Sequence, residues 1–218
     1  MIAEFALPNY IAEAVKKNHP KEEWDEVLRT ELDIALLAKA TQLAFVSAFQ
    51  YGQDIPIAAV ASIDNQICGR YAANDKRLGF PYLHAEQMTL MEAQLHQSPH
   101  PDTLTVTVEP CGPCIQYICD SGVKRIVFAI PRRTLSDLGL VNVRDGIFTR
   151  DNKERLPLEI IQICDPEITR LNELLFQNTQ RNRETGTTNL NLDRIRQFLN
   201  SNPQDTINTS FLILPQVK

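Results

Sequence analysis

Two strand-like runs constrain the fold most: Thr103-Leu-Thr-Val-Thr-Val108 and Lys124-Arg-Ile-Val-Phe-Ala-Ile130. β-Branched and apolar residues in runs of that length suit a buried, pleated strand. The segment between them, about 112–121, reads as a short helix ended by Gly122. Leu158-Glu-Ile-Ile-Gln-Ile163 is a further strand, and Asp165-Pro166 then opens a helix over about 166–180, with Asp as the cap and Pro in the first turn. Strands alternating with helices predict an α/β layered domain whose second half pairs in parallel.

Upstream, Leu32, Ala35, Leu36, Lys39, Ala40 and Leu43 follow a helical spacing. Trp24, Val27 and Leu28 belong either to a preceding helix or to an earlier turn of the same one. Ile55–Ile63 and Gln66–Tyr71 flank Asp64-Asn65, which is the pattern of a hairpin. A helix starts near His84 and runs to about Gln97, stopped by Pro99 and Pro101. The stretch 132–155 reads as a polar loop and 182–189 as a linker. A short amphipathic helix over about 190–199 and an apolar end, Phe211–Leu214, follow. This divides the chain into an N-terminal extension (1–30), a main domain (31–180) and a tail (181–218).

The chain has 22 basic and 27 acidic residues, a formal charge of −5. That balance and the lack of a basic stripe disfavour a nucleic-acid partner; the mildly basic tail reads as solvated. No apolar run approaches the roughly 18 residues of a membrane span, and the charged N-terminus lacks a signal-peptide pattern. Five cysteines without a secretory pattern point to a reducing compartment, hence to the cytoplasm.

Chemistry concentrates at two helix starts, His84-Ala85-Glu86 and Cys111-Gly112-Pro113-Cys114. A thiolate at a helix N-terminus is favoured by unpaired amides and the helix dipole. Cysteines three apart face one side of the first turn, and His84 can supply a third, neutral ligand. Three protein ligands leave the fourth tetrahedral position open, the catalytic zinc pattern. Neither His96, about 18 Å along a continuous helix, nor Cys119, a turn beyond Cys114, is placed to close it. Glu86 is placed to carry protons without binding metal.

His84-Ala85-Glu86 followed by Pro110-Cys111-Gly112-Pro113-Cys114 resembles the cytidine/deoxycytidylate deaminase superfamily, and the element order over about 32–180 is similar to it. The later strand–helix pattern resembles the branch holding deoxycytidylate, guanine and tRNA-adenosine deaminases. The resemblance implies a three-layer α/β/α sandwich on a mixed five-stranded sheet, one zinc per chain, and a homodimer. It implies zinc-dependent hydrolytic deamination of a free nucleobase, nucleoside or nucleotide, with tRNA adenosine as the alternative substrate. His84, Cys111 and Cys114 would hold the metal and Glu86 would move protons. Asn74 and the backbone near Ala85 would contact substrate.

The same Cys-Gly-Pro-Cys also resembles the redox pair of thioredoxin-like proteins, but those carry Trp where this chain has Pro110 and do not need His84-Ala85-Glu86. Cys68, Cys119 and Cys164 read as small buried apolar residues. Arg132, Arg133, Arg144 and Arg150 read as a solvated loop rather than a phosphate site. Phe80 and Tyr82 either stack on a base or pack beside the site. His19 and His100 read as surface residues.

Overall fold

The computed structural model describes residues 9–64, 66–72, 83–95, 100–132 and 158–188. The expectations for Asn74, Phe80, Tyr82, His96, Arg133, Arg144, Arg150, the 190–199 helix and the apolar end fall outside those residues. Helix α1 (Asn9–Asn18) and a 3-10 turn (Lys21–Glu23) precede α2 (Trp24–Gln50). Then come β1 (Ala58–Ile63), β2 (Gln66–Ala72), α3 (Ala85–Leu95), β3 (Thr103–Val108), α4 (Gly112–Asp120), β4 (Arg125–Ile130), β5 (Glu159–Gln162) and α5 (Pro166–Thr185).

The strands form one mixed sheet in the order β2-β1-β3-β4-β5. β1 runs antiparallel to both β2 and β3, whereas β3, β4 and β5 are parallel. Alternation along β1 separates the two layers of helices. Ala58 and Val60 pack with α2 residues such as Ala40 and Ala44, while Ala59 and Ala61 join the cluster of Ala85, Leu90 and Cys114. The α/β/α sandwich with a mixed five-stranded sheet is thus as expected.

Trp24 proves to open α2, so the upstream apolar residues are an earlier turn of one helix. The stretch Lys21–Gln50 holds no unbroken apolar run of membrane-span length, yet by length and overall composition it is apolar enough to cross a membrane. Asp33 and Thr41 interrupt its apolar residues and are themselves buried. Half of its most apolar window is buried within the fold, as in the core helix of an α/β layer.

Asp33 takes two hydrogen bonds from the Arg125 guanidinium, one from Nη1 at 2.6 Å and one from Nη2. Arg125 Nε lies 3.2 Å from Glu159, which also pairs with Arg29. One ion-pair network therefore ties α2 to the first residues of β4 and β5. Burial pulls the Arg125 guanidinium down, and the Asp33 and Glu159 carboxylates outweigh that and hold it charged.

Helix α5 starts as its sequence predicts, with Asp165 accepting the Ile168 N–H at 2.8 Å and Pro166 in the first turn. It runs on to Thr185, capped by left-handed Gly186, so the first residues read as a linker are helical. The polar residues there are used. Asn182 donates to the Gly52 carbonyl at 2.7 Å, Arg183 to Gln53 O at 3.0 Å, and Gln53 to Thr187 O at 2.9 Å.

Helix α3 lies tightly on the β-hairpin. A bulge in β2 leaves Cys68 between the partners of Ser62 and Ala61. Next to it, a Cβ on Gly69 would stand 2.5 Å from the Thr89 carbonyl oxygen. Gly69→Ala is expected to destabilise the protein by about 1–3 kcal/mol, read as a lower urea midpoint at unchanged slope. A wild-type midpoint would show that the helix can lift without cost. Of the cysteines taken as buried, Cys68 and Cys119 are half-buried, and Cys164 is corrected to exposed because it lies between β5 and α5 rather than under either.

Candidate metal centre and active site

The two helix starts meet at the C-terminal end of the parallel strands, beside antiparallel β1. Ligands settle at such a change of strand direction because the loops there diverge. β3 runs through Glu109 and Pro110 into Cys111, the N-cap of α4, whose extended backbone (φ −75°, ψ 165°) turns the chain into the helix. His84 immediately precedes α3, and its carbonyl accepts the Met88 N–H at 3.1 Å. Its own N–H donates to Gln87 Oε1 at 3.0 Å.

His84 Nδ1 lies 3.4 Å from Cys111 Sγ and 3.4 Å from Cys114 Sγ. The three donor atoms lie within 4.8 Å of one another. Zinc bonded to one nitrogen and two sulfurs at its usual lengths in a tetrahedron would hold N and S about 3.6 Å apart. The donors therefore fit a zinc ion. Among the described residues this is the one group able to hold a metal, and Cys119 is not part of it.

The thiols behave as a pair with unequal protons. A hydrogen bond from Cys114 and the nearby His84 outweigh burial and pull Cys111 down to about 4. The hydrogen bond to Cys111 and burial push Cys114 up. A hydrogen bond to Cys111 raises His84 against the effect of its burial. Glu86 lies in the first turn of α3, only 3% exposed, and its Oε2 has no hydrogen-bond partner among the described residues. Burial, then the negative Cys111, push its carboxyl up. A buried carboxylate oxygen with no partner among the described residues fits a substrate or water that occupies the site during reaction.

Ala85 is fully buried at the head of α3, in the turn whose N–H groups lack intrahelical acceptors. Asn74 is outside the described residues, so its proposed substrate contact is untouched by the geometry. Arg132 is corrected from solvated to buried, with 6% exposure. Its N–H donates to Glu109 Oε2 at 3.0 Å, and its charge acts on His84, Glu86 and Cys114. The register Val108↔Ile130 explains this, since it brings the residues following β4 beside the loop that carries Cys111.

Residues 30–130 match the family described as the cytidine and deoxycytidylate deaminase zinc-binding region. Over those residues the chain carries the zinc-binding region of the cytidine/deoxycytidylate deaminase superfamily. No curated protein sequence matches this chain. Among solved structures, the guanine deaminase from Nitrosomonas europaea is 17% identical, with a TM-score of 0.56 over 67% of this chain and 84% of that one. A diaminohydroxyphosphoribosylaminopyrimidine deaminase/5-amino-6-(5-phosphoribosylamino)uracil reductase from Thermotoga maritima is 22% identical. It has a TM-score of 0.51 over 70% of this chain, which spans 42% of its length. A tRNA:A34 deaminase is 20% identical, with a TM-score of 0.47 over 60% of this chain and 98% of that one. At these identities the likeness to the first two is one of fold. The zinc-binding family and the donor geometry agree on a single metal held by this deaminase domain.

Proposed function

We propose that this chain is a zinc-dependent hydrolytic deaminase of a free nucleobase, nucleoside or nucleotide, with His84, Cys111 and Cys114 as zinc ligands and Glu86 as the proton carrier. The observation that carries this reading is the buried Glu86 carboxylate, whose Oε2 lacks a partner among the described residues, two residues from His84 of the metal-capable cluster. When bound there, zinc supplies Lewis acidity and lowers the pKa of water toward about 7. Glu86 takes a proton from the attacking water and delivers it to the ring nitrogen. A second transfer through the same carboxylate gives the leaving amino group its proton, so water is consumed and ammonia released as a ring C–NH2 becomes C=O. Burial keeps bulk water from the carboxylate and makes that proton available to the substrate alone.

A small substrate accords with the formal charge of −5, which offers no field to attract a polyanion. It also accords with the Nitrosomonas europaea guanine deaminase and with a structure in complex with 2,6-diaminopurine that shares the fold at 18% identity and a TM-score of 0.56. We further propose the homodimer that family resemblance implies, and a place in the cytoplasm.

The test is ammonia release by the zinc-loaded protein from a panel of bases, nucleosides and mononucleotides, with Glu86→Ala as the blank. Release from one class that vanishes in the variant is the expected result. A folded, zinc-loaded protein silent on the whole panel sinks the small-molecule reading. Deamination of tRNA, with steeply salt-dependent binding, would then install the editing alternative. Failure to hold zinc through dialysis would instead return the cysteine pair to dithiol chemistry.

A further inference from the structure

We propose that Gln87 is a positioning residue for the metal centre, setting the affinity for zinc by fixing the backbone of His84. This rests on the reading of His84, Cys111 and Cys114 as zinc ligands. Gln87 Oε1 accepts the His84 N–H at 3.0 Å, and the His84 carbonyl accepts the Met88 N–H at 3.1 Å. Both backbone polar groups of His84 are thus held by residues of the first turn of α3. A third-position Gln that reaches back to the residue preceding a helix forms half of a capping box.

The consequence reaches the imidazole. Nδ1 is close to its ring's attachment point, so its position follows the backbone more directly than the remote ring nitrogen does. That atom must stay equidistant from two sulfurs supplied by a different helix, at 3.4 Å from each. The sulfurs are fixed independently, by the first turn of α4 and the end of β3. Without the Gln87 carboxamide, the residue before α3 has its N–H released and the turn frays. The histidine would then sample positions from which only the two thiolates reach the metal. Groups that orient a ligand rather than bind metal change affinity by about 10–100-fold when removed.

The rest of α3 is anchored elsewhere. Thr89 Oγ1 donates to Ala59 O at 3.2 Å, and Glu92 accepts the Arg70 N–H at 2.6 Å. Loss of the Gln87 contact therefore leaves the helix docked on the hairpin and loosens only its first turn.

The experiment titrates zinc ion against a chromophoric chelator in the full chain for wild type, Gln87→Met, Gln87→Glu and Asp165→Ala. Methionine keeps helix propensity and length but removes the acceptor. Glutamate keeps the acceptor. Asp165→Ala removes a side-chain cap of a different helix, α5, that supplies none of the donors, and reports what a lost helix cap does by itself. The expected result is zinc binding about 10–100-fold weaker in Gln87→Met, with Gln87→Glu and Asp165→Ala retaining wild-type affinity. Melting of the metal-free chains should shift alike in Gln87→Met and Asp165→Ala. Wild-type affinity in Gln87→Met overturns the proposal, and so does equal weakening in Asp165→Ala, which would make the effect one of general stability. A wild-type chain that binds no zinc overturns the underlying ligand reading instead.

Discussion

Glu86→Gln is expected to keep its zinc and lose about 10²–10⁴-fold in kcat for ammonia release. Glutamine matches the shape of the carboxyl group, so the first turn of α3 and the buried cluster around Ala85 and Leu90 keep their packing. It removes the one atom the chemistry needs, an oxygen that gains and loses a proton within the cycle. Because Glu86 is outside the metal-capable cluster, the zinc content should stay at that of wild type. The decisive comparison is kcat beside zinc stoichiometry. Activity within a few-fold of wild type would move the proton carrier to another residue. Parallel loss of zinc would turn Glu86 into a support for the metal. Loss of kcat alone, with KM little changed, is the signature of a group that acts in the transition state.

Asp33→Ala is expected to destabilise the chain by about 3–5 kcal/mol, because it leaves the Arg125 charge buried without its bidentate partner. The Asp33 and Arg125 side chains are 5% and 13% exposed, so water does little to screen the loss. Such a loss takes a large share of the roughly 5–15 kcal/mol that holds an ordinary domain folded. Glu159 offsets part of it, being close to Arg125 Nε but half exposed. Replacing both charges, Asp33→Leu with Arg125→Met, should restore much of the stability, since an apolar pair of similar volume avoids desolvation. Urea unfolding of Asp33→Leu, Arg125→Met and the double completes the cycle and measures the coupling. A single variant within 1 kcal/mol of wild type would show that water reaches this pair.

The second half of the sheet was legible because its signals are local. The β-branched run Thr103–Val108, Gly122 after α4 and Asp165-Pro166 before α5 each decide their own surroundings. The metal cluster was legible for the same reason: His84, Cys111 and Cys114 lie at helix starts, where a short spacing fixes which way side chains point. What escaped depends on partners far along the chain. Asp33 and Thr41 look like breaks in an apolar helix until Arg125, 92 residues on, and Asn172, 131 residues on, satisfy them. Burial of Arg132 follows from the pairing of β3 with β4, which a local pattern of arginines does not report. Polar residues 182–185 resemble a linker by composition, yet Asn182 is buried because its carboxamide replaces water at the Gly52 carbonyl.

That last contact bears on how short this protein can be made. Gly52 has no room for a side chain against Thr188 and Asn182, so the loop entering β1 and the chain beyond α5 form one interlocked surface. A polypeptide ending at residue 180 would retain the five described strands and the three described metal donors, but would lose the contacts that Asn182 and Arg183 make with the loop entering β1. A shortened chain is therefore expected to keep its stability only if it retains Asn182 and its partner at Gly52, a limit drawn by a carboxamide and a glycine rather than by where the helical pattern fades.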